Sequence, residues 1–266
     1  MPKLNQAISE IEEINKLNQR DQWINRLHPL VKLSLTVIYL VVVVSFDSRR
    51  LSSLAVMALY PWFVFTFGDL SFKDCLKRLR LILPLVILVG IFNPILDREP
   101  LFKVYGVVVT SGLLSMAGLI LKGVLTVVAV YLLIVTTSIE DICFALRLIH
   151  VPKAVVTVIL LIYRYLFVMI KEVEKVTIAY NLRAPGQKGV HISAWGSLVG
   201  QILLRSMDRA EIIYEAMLLR GFDGEFKSED RHKATAKDIA YGLIWLAVFV
   251  IIRFTNVINI LGGIFL

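Results

Sequence analysis

Apolar residues run along this chain in blocks of membrane-spanning length, parted by short polar links, with no sustained alternation of the kind that marks half-buried strands. From Leu30 to Phe46 the sequence reads LVKLSLTVIYLVVVVSF, which at about 1.5 Å rise per residue suits a slightly short membrane helix. A second block covers residues 51–67, with Pro61 expected to kink it. A third covers 81–96, after a basic link over 68–80. Residues 105–138 are apolar for longer than one perpendicular span requires, so they form either one long tilted helix or two short ones. A last block covers 238–254.

Between these blocks, residues 139–237 read differently. Thr136-Thr137-Ser138 followed by Glu140 and Asp141 is a helix start, since carboxylates favour the positive N-terminal end. His150-Val151-Pro152 breaks the chain. A long helical pattern then runs from Pro152 to Arg183, wholly apolar at first and amphipathic later, with Leu166, Ile170, Val173, Thr177 and Tyr180 on one face. Ala184-Pro185-Gly186 ends it. The next helix is expected from Trp195 to Arg220, with Leu203, Met207, Ala210, Tyr214 and Met217 at heptad-like spacing, and it stops at Gly221.

Composition narrows the class. The chain has 266 residues, 57% hydrophobic and 19% charged, against about 45–50% and about 25% in soluble domains. That excludes a soluble globular enzyme and a disordered chain alike. Two cysteines, Cys75 and Cys143, cannot staple a secreted domain and read as reduced structural thiols. The net charge of +8 needs no nucleic acid, because basic residues gather in cytoplasmic loops of membrane proteins.

Charge also orders the spans. If 105–138 crosses once, 23 of the 29 basic residues lie inside, with Arg49, Arg50, Arg98 and Lys103 outside. The expected architecture is therefore an all-α integral membrane protein. A cytoplasmic N-terminal segment (1–29), which lacks the apolar core of a signal peptide, precedes four transmembrane helices (30–138). Cytoplasmic amphipathic helices (139–237) and a fifth span with a short tail (238–266) follow.

The chemistry of sites is sparse. His28, His150, His191 and His232 have no partner at metal-ligand spacing, and no phosphate-cradling glycine loop is present, so no metal or nucleotide site is expected in this chain. Within the spans the fixed charges are Lys122 and Arg253, without an acid to relay a proton or cation. Against a membrane-bound enzyme built on His150, Glu172 or Asp208, or a self-sufficient carrier, one feature stands out. Two amphipathic helices each end in an arginine followed by a small residue, Leu182-Arg183-Ala184 and Leu219-Arg220-Gly221. Singly, each is an ordinary solvated helix end. As a pair they suit a pair of similar soluble partners with acidic grooves, because the guanidinium fork binds carboxylate bidentately.

These residues resemble those of the T component of energy-coupling factor transporters, importers of the ABC class, and most closely its cobalt-type CbiQ members. The resemblance rests on His28-Pro29-Leu30-Val31-Lys32-Leu33 leading into the first span, Asn93-Pro94 ending the third, Thr136-Thr137-Ser138, the two arginine motifs, and the stretch Ile213 to Phe226. The first arginine motif departs from the family's Ala-Arg-Gly form, with Pro185 after Ala184. The resemblance implies a non-catalytic coupling subunit that docks two ABC ATPase subunits, which bind ATP and magnesium, through Arg183 and Arg220 with Leu182, Ala184, Leu219 and Gly221. It also implies a substrate-binding membrane subunit, for which the candidate contacts are Leu166, Ile170, Val173, Met207, Tyr214 and Met217; those residues are equally suited to internal packing. The implied cargo is cobalt or nickel, with a shared vitamin importer as the alternative, in the membrane of a bacterium or archaeon.

Overall fold

A computed structural model describes residues 18, 22–47, 51–68, 72–96, 100–104, 107–183, 186, 189–226 and 234–254. The helices are α1 (Trp23–Arg26), α2 (Pro29–Ser45), α3 (Leu51–Met57), α4 (Leu59–Phe67), α5 (Phe72–Gly90), α6 (Phe92–Leu96), α7 (Ser111–Thr136), α8 (Ile139–Leu148), α9 (Lys153–Arg183), α10 (Ile192–Leu219) and α11 (Ala236–Phe254). One antiparallel ribbon, β1 (Pro100–Val104) with β2 (Val107–Thr110), interrupts them. The chain is an all-α membrane protein apart from that ribbon. Its described residues fall into two compact units, 139–226 and 18–138 with 234–254.

In the second unit, α2 is apolar all round, as a helix with lipid on one side and neighbours on the other must be. Leu35, Tyr39 and Val43, four residues apart, face inward and are buried, whereas Val37, Val41 and Val44 are exposed. Tyr39 and Tyr60 pack against Phe249 of α11, each with ring centroids 5.4 Å from it, and Trp245 closes the cluster 5.0 Å from Tyr60. Close approach of α5 to α7 needs Gly123, where a Cβ would stand 3.1 Å from Val86. Lys32, buried near the start of α2, donates from Nζ to the Thr136 carbonyl (2.7 Å) and to that of Asn25 (3.2 Å). A cation there satisfies a carbonyl that the last turn of α7 leaves over.

The expected block at 51–67 breaks at Ala58 rather than at Pro61. Pro61 has no N–H to give the Met57 carbonyl, so the ladder opens one turn earlier than the proline itself. Tyr39 Oη supplies the missing donor to Met57 O at 3.2 Å. Pro94 acts alike: it deprives Gly90 of a donor, α5 ends at Gly90, and Asn93-Pro94 lies within the short α6 instead of ending the third span. Most of the link expected over 68–80 is helix, because α5 begins at Phe72.

The ambiguous stretch 105–138 contains one continuous helix, α7, of 26 residues. It begins at Ser111 rather than at Tyr105, since Val107–Thr110 pairs as β2. The two expected intramembrane charges do not stand alone. Lys122 Nζ donates to the carbonyls of Val44 (3.3 Å) and Phe46, and Arg253 donates from Nη2 to Ser45 O (3.3 Å) and Ser45 Oγ (3.2 Å) while lying over the Phe46 ring. Both cations thus sit on the carbonyls left unbonded where α2 stops. α11 starts one turn before its apolar run, with Asp238 accepting from the Thr235 N–H at 2.9 Å, the return half of a capping box.

Candidate partner-docking site

The unit 139–226 is built from α8, α9 and α10. Glu140 and Asp141 in the first turn of α8 start it, as expected. It ends in a Schellman turn: the His150 N–H donates to Arg147 O (3.0 Å), the Val151 N–H donates to Leu146 O (3.2 Å), and His150 takes φ 67°. Pro152 then opens α9, 31 residues long, whose apolar first half makes it, like α7, long and apolar enough to cross a membrane. Its last residue is Arg183. Tyr180 Oη accepts the His191 N–H (3.4 Å), and His191 caps α10 by accepting from the Ser193 N–H (3.3 Å). That cap starts α10 at Ile192, one turn before the expected Trp195.

α9 and α10 run antiparallel. Tyr180 meets His191, Glu172 meets Arg205 at 2.6 Å, and Leu161 and Tyr165 share a cavity with Ile213 and Met217. As numbers rise along α10, those of its partners fall along α9. Arg183 therefore lies beside the beginning of α10, and Arg220 lies beside residues 161–165. Along α9 this separates the two arginines by about twenty residues, roughly 30 Å at 1.5 Å per residue.

Both motifs project. Leu182 and Leu219 are 78% and 90% exposed, extreme for leucine, and Arg183 and Arg220 are exposed, their guanidinium groups without an ion-pair or hydrogen-bond partner among the described residues. Gly221 has φ 77°; its N–H donates to Leu218 O (2.9 Å) and that of Phe222 to Met217 O (3.0 Å), closing the glycine-dependent cap that the sequence implied. Ala184 lies outside the described residues. The candidate substrate-subunit contacts divide. Tyr214 and Met217 line a cavity of about 360 Å³ with Leu161, Tyr165, Met169 and Ile213. Leu166, Ile170, Val173 and Met207 do not line it; Met207 is exposed on α10, and Ile170 and Val173 are half-buried on α9. A second cavity of about 480 Å³ is lined by Arg164, Met217, Arg220, Gly221, Asp223 and Glu225, among others.

Glu225 was not singled out from the sequence. Its carboxylate lies between Arg147 of α8 and Lys153 of α9, with Lys153 Nζ at 2.5 Å, and its side chain is only 14% exposed. The hydrogen bond from Lys153, with the Arg147 charge, holds the carboxyl below its ordinary 4.5. Thr157 Oγ1 donates to the Gly224 carbonyl at 3.1 Å. The available signal was Gly221-Phe222-Asp223-Gly224, a turn-rich run whose two glycines both adopt positive φ, but its partners stand some seventy positions upstream. No group of three or more His, Cys, Asp or Glu that could hold a metal occurs among the described residues. Burial, reinforced by Glu140, pushes the Cys143 thiol upward and keeps it protonated.

Known proteins carry related sequence. Residues 20–232 match the family model described as CbiQ, cobalt transport protein. A fused cobalt transport protein CbiMQ of Methanocorpusculum labreanum is 27% identical over 145 residues, 53% of this chain and 24% of that protein. Two uncharacterized proteins of Methanocaldococcus jannaschii are 29% and 30% identical over 117 and 94 residues, covering 43% and 35% of this chain and 40% and 35% of their own lengths. The chain thus spans less than half the length of these relatives. A family match over four-fifths of the chain, on a helical membrane fold ending two of its helices in exposed arginines, places this protein in the CbiQ family of cobalt transport proteins.

Proposed function

We propose that the chain is the transmembrane coupling subunit of an energy-coupling factor importer, with cobalt as cargo and nickel as its nearest alternative. Two ABC ATPase subunits bind ATP and magnesium and dock on Arg183 and Arg220. Their closure displaces the docked tips, and the helices behind pass that displacement to a substrate-binding membrane subunit. Leu166, Ile170, Val173, Met207, Tyr214 and Met217 supply apolar surface toward that subunit or within the unit. The N-terminus and residues 139–237 lie in the cytoplasm. Cobalt as cargo is supported by the family description and by the relative's name.

One observation carries this reading: two exposed arginines, each without a partner among the described residues, terminate antiparallel helices at opposite ends of one hairpin. Two ends so far apart suit two separate grooves rather than one. The test is co-purification with the cognate ATPase subunits after Arg183→Glu and Arg220→Glu together. Reversing the charge of a desolvated pair costs about 2–5 kcal/mol at each site, so the complex is expected to dissociate. An ATPase pair retained on the doubly reversed chain rejects the docking role.

A further inference from the structure

α10 buries none of its 28 residues. Packing alone therefore does not fix where its C-terminal end points. What does hold that end lies within five residues of Arg220. Glu225 is gripped by two cations from two other helices, Arg147 and Lys153, and is largely withdrawn from water. The neighbouring Gly224 carbonyl receives the Thr157 hydroxyl, and the Phe222 and Phe226 rings meet at a tilt of 45° with centroids 5.2 Å apart. The ties from Glu225 and Gly224 end on α8 and the first turns of α9, whereas the Phe222–Phe226 contact lies within the turn itself.

We propose that Glu225 is a positioning residue, clamping the turn that presents Arg220 onto the corner between α8 and α9. Both docking arginines then ride on α9, Arg183 as its last residue and Arg220 through the clamp near its start. The stretch of that helix between them, about twenty residues, spans roughly 30 Å at 1.5 Å per residue. It sets the distance between the two docked subunits, and the tips move with it as one body. The inference rests on the docking role proposed for Arg183 and Arg220.

The test uses the full chain in detergent, alone and titrated with the cognate ABC ATPase subunits. Glu225→Gln and Lys153→Met are expected to speed amide hydrogen exchange over 221–226 by about tenfold, leaving 192–205 unchanged. Each is also expected to raise by about tenfold the ATPase-subunit concentration needed for half-maximal stimulated hydrolysis, with the maximal rate unchanged; Glu225→Asp, which keeps the charge, recovers most of that shift. A variant that merely unfolds would lower the maximum instead. If exchange or apparent affinity stays at the parental value while Arg220→Glu abolishes binding, the clamp is wrong and docking stands. If Arg220→Glu itself leaves binding intact, the docking reading falls and the clamp's purpose with it.

Discussion

His150 and Gly221 perform one backbone task with different chemistry. Each closes a Schellman turn at positive φ, 67° for His150 and 77° for Gly221. An L side chain in that region strains against its own carbonyl by about 1–2 kcal/mol, a cost glycine escapes. Gly221→Ala is therefore expected to destabilise the end of α10 by about 1 kcal/mol, and His150→Gly to stabilise the end of α8 by up to about 1 kcal/mol. Exchange rates of the amides at 218–222 and 147–151 report the two effects separately, and shifts of the same sign would contradict the shared cap. The glycine could be read from the chain because it follows an amphipathic run directly. The histidine could not, since histidine, though enriched there among non-glycine residues, takes left-handed backbone at only a small minority of its positions.

At the level of elements, two prolines set joints in the unit of 18–138 with 234–254, though not at their own positions, while Pro84 stays inside α5. The breaks at Ala58 and after Gly90 fall about one turn before Pro61 and Pro94 because the lost hydrogen bond belongs to the carbonyl four residues back. The sequence shows the proline; which carbonyl is freed and what repairs it depends on a neighbour. For Met57 the repair is Tyr39. Tyr39→Phe keeps the ring and removes that donor, and is expected to cost about 1 kcal/mol in a membrane setting. Equilibrium unfolding in mixed micelles checks it, and a variant as stable as the parent would mean that Met57 O finds another donor. The ribbon at 100–110 escaped sequence reading for a related reason: Val107-Val108-Val109 continues the apolar run of α7, and an apolar run carries no period to distinguish strand from helix.

At the scale of the molecule, the unit 139–226 carries its acid response on one carboxylate, Glu225. Glu225 ties together three helices of the unit 139–226, and its carboxyl is held below the ordinary 4.5 by Lys153 and Arg147, against the opposing push of its own burial and a smaller one from Asp223. A carboxyl whose pKa is depressed by folding stabilises the fold above the unfolded value and loses that contribution as pH falls through the depressed value. Lowering the pH below 4.5 is thus expected to speed exchange over 221–226 in the parent chain, and much less so in Glu225→Gln. Equal acid sensitivity in both would assign the effect to another group. The fold class and the paired arginines were legible in the chain because spanning blocks and helix stops are local features. The clamp was not, because its three charges are brought together only by the turn back of α10 along α9.

The short α2 has one more consequence. At 17 residues it extends roughly 26 Å, less than a bilayer's hydrocarbon depth of about 30 Å. Its terminal peptide dipoles then act as a counter-ion made of backbone, shared between Lys122 and Arg253 in place of the carboxylate that membrane cations ordinarily require. Such a counter-ion cannot be mutated away, only displaced. Lengthening α2 by a single turn would carry it about 5.4 Å past both side chains and leave two positive charges facing hydrocarbon.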